Sequence, residues 1–109
     1  WASWCGPCKM AMPRVLVLHQ EFAPKGLQVV SVTLDAPKGK EAAQKEVDDL
    51  KLPWGQGWDS QAFAGPVAKA YNVQAIPTYI LVDAKGLLVA KWVGFDEEAI
   101  RKALQALLP

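Results

Sequence analysis

The stretch that most restricts how this chain can fold is Trp1-Ala2-Ser3-Trp4-Cys5-Gly6-Pro7-Cys8-Lys9-Met10, which holds both cysteines of the 109-residue sequence. Two thiols separated by a glycine and a proline can close a small ring. Proline at the second spacer position suits the first turn of a helix, where no backbone N–H is needed. An apolar segment follows, so the motif reads as a loop running into a helix N-terminus. Unpaired N–H groups and the helix dipole stabilise an anion there, lowering a cysteine's pKa and raising its thiolate fraction. The expected chemistry is a dithiol–disulfide pair, with Cys5 as an exposed nucleophile and Cys8 as its resolving partner.

Other uses of the pair are weaker. A static disulfide across two residues closes too small a loop to stabilise much. A zinc site needs two more ligands, and His19 is the only histidine. His19 reads as a helix-surface or partly packed residue rather than a catalytic base. No metal and no cofactor is expected. Gly55-Gln56-Gly57 has neither the leading strand nor the following helix of a dinucleotide site. Lys38-Gly39-Lys40 lacks the setting of a phosphate loop. Electrons must then come from a protein partner.

One domain is expected from the length. The net charge of +1, from 12 basic and 11 acidic residues without a basic run, argues against nucleic acid. Apolar runs fall far short of the ~20 residues of a membrane span. Trp1 does not read as a natural start, so the lack of a targeting segment decides nothing.

Along the chain, helical spacing runs from Pro7 to about Phe22 through Met10, Val15 and Leu18, with Pro13 expected to kink or split the helix. Residues 28–34 are rich in β-branched side chains and read as a strand. Residues 39–51 form an amphipathic helix buried through Ala43, Val47 and Leu50. Residues 52–59, with two glycines, a proline and two tryptophans, read as an irregular loop. Gly65-Pro66 opens a short helix to about Tyr71. Residues 78–83 suit a strand buried on both faces, and 78–93 a β-hairpin. Asp96 caps a last helix whose buried stripe is Ile100, Ala103, Leu104, Leu107 and Leu108.

The WCGPCK string, a proline inside the following helix, Ile76-Pro77-Thr78 before a buried strand, a hairpin, Gly94 and a closing helix together resemble the thioredoxin superfamily over nearly the whole chain. The extra length at about 36–66, a helix plus a Trp-rich loop, and the Trp1-Ala2-Ser3-Trp4 lead-in are more similar to its TlpA-like branch. The resemblance implies an α/β, thioredoxin-like fold, a mixed sheet flanked by helices, in a single domain spanning 1–109. It also implies a central strand just before Trp1, which this chain lacks, so the domain reads as N-terminally truncated. A proton-accepting carboxylate that many thioredoxins carry on that strand is missing with it. Asp35 is the best remaining acid, although a solvated strand-end aspartate is the simpler reading.

The implied activity is thiol–disulfide exchange, with the Gly6-Pro7 spacer pointing to the reducing end. TlpA-like proteins are bacterial, tethered or exported outside the cytoplasm, and often reductive, as in cytochrome c maturation. An extracytoplasmic location is therefore favoured over a cytoplasmic one. The implied partners are protein thiols or disulfides and an electron-donor redox protein, with the domain itself a monomer. Pro77 is expected to be cis on the resemblance alone, placing Ile76 to pair with an extended substrate. Trp4, Gly6, Pro7, Ile76 and Pro77 are the expected substrate-binding residues. Trp4 could equally be core, and Trp54 and Trp58 either shape substrate choice or plug the core locally. Two other readings stay open: a redox-inactive or covalent-capture binding module with the same fold, and a disulfide oxidase or isomerase.

Overall fold

The computed structural model describes residues 1–109. In chain order the elements are α1 (Gly6–Phe22), β1 (Val30–Thr33), α2 (Lys40–Leu50), β2 (Gly55–Trp58), α3 (Pro66–Ala70), β3 (Thr78–Val82), β4 (Leu88–Val93) and α4 (Glu97–Leu107). Single 3-10 turns lie at Ala23–Lys25, Pro37–Gly39 and Ala62–Ala64. Strands β1 and β2 pair in parallel, β3 and β4 antiparallel, with an irregularity between Leu81 and Val82.

Helix α1 joins the two halves of the core. Its first turns place Cys8 and Met12 in a cluster with Trp1, Ala2, Cys5, Ala43, Leu52 and Trp54. Its last turns place Leu18 and Phe22 in a second cluster with Leu81, Ile100 and Leu104. Of the kink or split expected at Pro13, the split does not occur: one helix runs from Gly6 to Phe22 with Pro13 inside it. Met10, expected inside, is 81% exposed, and the neighbouring stripe through Met12 is buried in its place. At the other end of the chain Asp96 caps α4 as expected, its side chain accepting the N–H of Ala99 at 3.1 Å. Ile100 and Leu104 carry the buried face, while Leu107 is exposed.

Residues 55–58 are a strand, not a loop. Gly-Gln-Gly-Trp has almost no intrinsic strand preference, and pairing with Val30–Thr33 supplies what local sequence does not. Gly57 suits the contact, since a Cβ there would sit 3.3 Å from Val32 Cγ2.

Strand β3 also departs from expectation. Only Leu81 is buried, and Val82 is exposed. The reason lies beside it. β3 pairs with β4 on one edge only, and between its other edge and β1 runs a cleft of about 900 Å3 whose walls include Val30, Val32, Ile80, Val82 and Leu104. No strand among residues 1–109 fills that position. Trp1 begins it: its N–H end donates to Val32 O at 3.1 Å and its carbonyl accepts from Leu34 N–H at 2.8 Å. Bonding to the residues on either side of Thr33 is how a parallel strand bonds to its neighbour.

Candidate active site

The site is built where the lead-in Trp1–Trp4 turns into α1. Ala2 is fully buried, and its carbonyl accepts the N–H of Cys5 at 3.0 Å, closing a turn. Cys5 is the N-cap of α1, extended at φ −92° and ψ 100°. Its sulfur accepts the N–H of Cys8 at 3.3 Å, the place a Ser or Asp oxygen takes in an ordinary N-cap. Gly6 and Pro7 make the exposed first turn, and Cys5 and Cys8 are joined as a disulfide with Cα atoms 5.3 Å apart. The sequence placed the pair correctly but not its exposure. Cys5 is buried at 5% and Cys8 at 1%, because Trp1, Ala2 and Met12 close over the disulfide and Ile76 packs against the same cluster.

The other expected site residues lie around this disulfide. The Ile76–Pro77 bond is cis. Pro77 is buried, and its carbonyl accepts Gly94 N–H at 2.7 Å, while Ile76 has no backbone partner. Pro7, Met10, Ala11, Arg14, Pro77 and Phe95 surround a surface hollow of about 390 Å3. Trp4 is 60% exposed, which removes the core reading. Trp54 is the local plug: it is buried against the thiol cluster, donates Nε1–H to Ser31 Oγ at 2.5 Å and meets His19 edge-on at 5.3 Å. His19 is part-buried, with Nδ1 unpartnered.

Asp35 is a correction. It is 1% exposed, not solvated. It accepts Ser3 N–H at 2.9 Å, Ser3 O–H at 2.5 Å and the hydroxyl of Thr33, while its own carbonyl accepts Trp58 Nε1–H at 2.8 Å. Sequence reasoning does not single out Ser3 or Thr33. The available signal is Thr33-x-Asp35, two polar residues on one face of a strand end, with a serine two positions before Cys5. Asp59, also missed, is buried and accepts Val67 N–H at 3.0 Å and Ala68 N–H at 2.9 Å at the start of α3. No local pattern connects Asp59 with a helix eight residues on.

The AhpC/TSA family model matches residues 1–91, and the chain belongs to that family. It is similar to a thiol-disulfide oxidoreductase ResA of Bacillus cereus, 30% identical over 112 residues covering 100% of this chain and 61% of the relative. The chain thus spans about three fifths of the length of that curated relative. Among solved structures it resembles a Chlorobium tepidum protein described as a thiol:disulfide interchange protein DsbE, at TM-score 0.86 and 33% identity, covering 98% of this chain and 74% of that one. A thiol-disulfide oxidoreductase from Bacteroides fragilis NCTC 9343 gives the same TM-score at 28% identity, covering 99% of this chain and 77% of its own. The fold is thioredoxin-like, and the resemblance to TlpA-like oxidoreductases drawn from the motif is borne out. No helix is long and apolar enough to cross a membrane.

Proposed function

We propose that the domain is a thiol–disulfide oxidoreductase that reduces protein disulfides. The observation that carries this reading is Cys5 at the N-cap of α1 with the Cys8 N–H on its sulfur. In the reduced form that N–H and the helix dipole favour the Cys5 thiolate. The thiolate attacks one sulfur of a substrate disulfide, forming a mixed disulfide and releasing the other sulfur as a thiolate. Cys8, giving up its proton, then attacks Cys5 Sγ, which forms the Cys5–Cys8 disulfide and releases the second substrate thiolate. Two electrons pass to the substrate, and its two thiolates take up protons. A dithiol partner protein, itself oxidised, returns the pair to its reduced form.

For substrate binding, we assign the exposed Trp4 and the Gly6-Pro7 turn to the docking face. The free backbone N–H and carbonyl of Ile76 would bond an extended substrate segment, as in strand addition, with Pro77 beside it. The location we favour is extracytoplasmic in a bacterium, with cytochrome c maturation as one candidate pathway. We also place a further strand, from outside residues 1–109, in the cleft between β1 and β3. The parallel bonding of Trp1 supports that assignment.

The test is reduction of a protein disulfide by dithiothreitol with and without the protein. Acceleration that Cys5→Ser abolishes is the expected result. No acceleration, or full activity in Cys5→Ser, would sink the reading in favour of a binding module. The measured reduction potential then separates a reductase from an oxidase.

A further inference from the structure

We infer that Asp35 is a positioning residue for the thiol pair: through Ser3 it holds the lead-in in the geometry that lets Cys5 cap α1. The inference rests on the thiol–disulfide reading above. Asp35 lies outside the CxxC motif and is 30 positions from Cys5 in the chain, but it is joined to it in space by a short series of bonds. Asp35 receives both the N–H and the O–H of Ser3. The next link is the turn in which Ala2 O receives Cys5 N–H, and the last is Cys8 N–H on Cys5 Sγ.

Asp35 is itself held from three sides. Thr33 O–H donates to its carboxylate. Trp58 Nε1–H donates to its carbonyl from β2. The turn at Pro37–Gly39 closes over it so tightly that a Cβ on Gly39 would lie 3.0 Å from Asp35 Oδ1. A carboxylate with this little freedom, facing three donors, fixes Ser3 to one position. Trp1 is anchored on β1, but between it and the Cys5 turn the bonds of Ser3 to Asp35 are what hold the lead-in.

Positioning and charge act on Cys5 in opposite directions, which makes the inference testable. Removing a nearby negative charge would make the Cys5 thiolate easier to form. Loosening the N-cap removes the N–H that stabilises that thiolate, making it harder to form. In Asp35→Asn the shape stays, but one acceptor oxygen replaces two and the charge-assisted bonds from Ser3 and Thr33 become weaker neutral ones, so the hold on Ser3 loosens.

The experiment uses the full-length protein as wild type, Asp35→Asn, Ser3→Ala and the double variant. It reads the Cys5 pKa from the pH dependence of iodoacetamide alkylation of the reduced protein, together with thermal stability. The expected result for Asp35→Asn is a Cys5 pKa raised by about one pH unit, hence an alkylation rate at neutral pH lowered several-fold, to a limit of about tenfold. Ser3→Ala, which keeps its backbone N–H to Asp35, moves the pKa the same way by a smaller amount. The double variant is no worse than Asp35→Asn, since both act through one contact.

An unchanged pKa with only a lower melting temperature would overturn the inference, leaving Asp35 a purely structural residue. A lowered pKa in Asp35→Asn would overturn it in favour of charge alone. If Asp35→Asn does not fold, Ser3→Ala decides by the same two outcomes. Alkylation needs no turnover, so this result stands apart from whether the wild type reduces disulfides.

Discussion

Around the thiols the buried contacts are directional, whereas behind the hairpin they are almost wholly apolar. The thiol half combines Trp1, Ala2, Cys5, Cys8, Met12 and Trp54 with the buried carboxylates of Asp35 and Asp59 and the part-buried bonds of the Trp54 and Trp58 indoles. The hairpin half packs Leu18, Phe22, Leu81, Ile100 and Leu104 and keeps its charges at the surface, where Glu97 pairs with Arg14 and Arg101, and Arg101 with Glu21. The difference follows from the chain. β4 and α4 carry regular periodicity, so burying one face is enough to place them. Residues 1–5 are short of regular periodicity and residues 51–66 are rich in Gly, Pro and Trp, so their backbone must be set by named hydrogen bonds.

Filling the cleft between the halves should have the largest effect. Its walls are mostly apolar, and both flanking edges are open to pairing. A form with an apolar β-strand segment joined ahead of Trp1 should exceed residues 1–109 in unfolding free energy by about 3–6 kcal/mol, the scale of burying two large apolar side chains. Equal urea midpoints for the two forms would remove the added strand from the cleft.

Next in size is Phe22→Ala, which deletes the largest fully buried side chain of the hairpin half and should cost about 3–5 kcal/mol. Under conditions where the variant stays folded, Cys5 alkylation should keep its wild-type pH profile. A shifted profile would show that the two halves are not separable.

Asp59→Ala leaves the N–H groups of Val67 and Ala68 without their acceptor and should cost about 2 kcal/mol. Gly65→Ala should mimic it, because a Cβ there would fall 1.7 Å from Asp59 Oδ1 and push the carboxylate away. The double variant should be little worse than either single one in urea titration, and simple additivity would separate the two.

The smallest effect belongs to the surface charges. Hydrogen bonds first from Arg14 and then from Arg101 hold the Glu97 carboxyl at about 2, below its ordinary 4.5. Its folded value lies under its unfolded one, so its contribution is complete above about pH 4.5 and is lost as the pH falls towards 2. Glu97→Gln should flatten that part of the stability profile, with little change at neutral pH in high salt. A large loss at neutral pH and high salt would mean that the hairpin half also depends on directional bonds.

These regions also differ in how readily they can be read from sequence. The helix from the Gly6-Pro7 turn, the Asp96 cap, the hairpin and the Ile100–Leu104 stripe follow from capping chemistry and periodicity, which act over a few residues. β2 does not, because a Gly-Gln-Gly-Trp segment becomes a strand only when Val30–Thr33 lies beside it. Asp35 does not either. A carboxylate after a strand is solvated in most settings, and only the approach of Ser3 and the turn at Gly39 makes it the buried centre of a network. β3 is less buried than its composition implies, because an apolar run carries no record of whether its neighbouring strand is present.

By itself the sequence determined the close cysteine pair, its seat at a helix N-terminus and most of the order of elements, since each rests on residues a few positions apart. Only the tertiary structure decided that Cys5 is covered, that Asp35 is tied to Ser3, and that the strand the resemblance implied leaves an open cleft between β1 and β3. All three depend on segments distant in the chain meeting in space, and the strength of a buried contact is set by what surrounds it rather than by what precedes it.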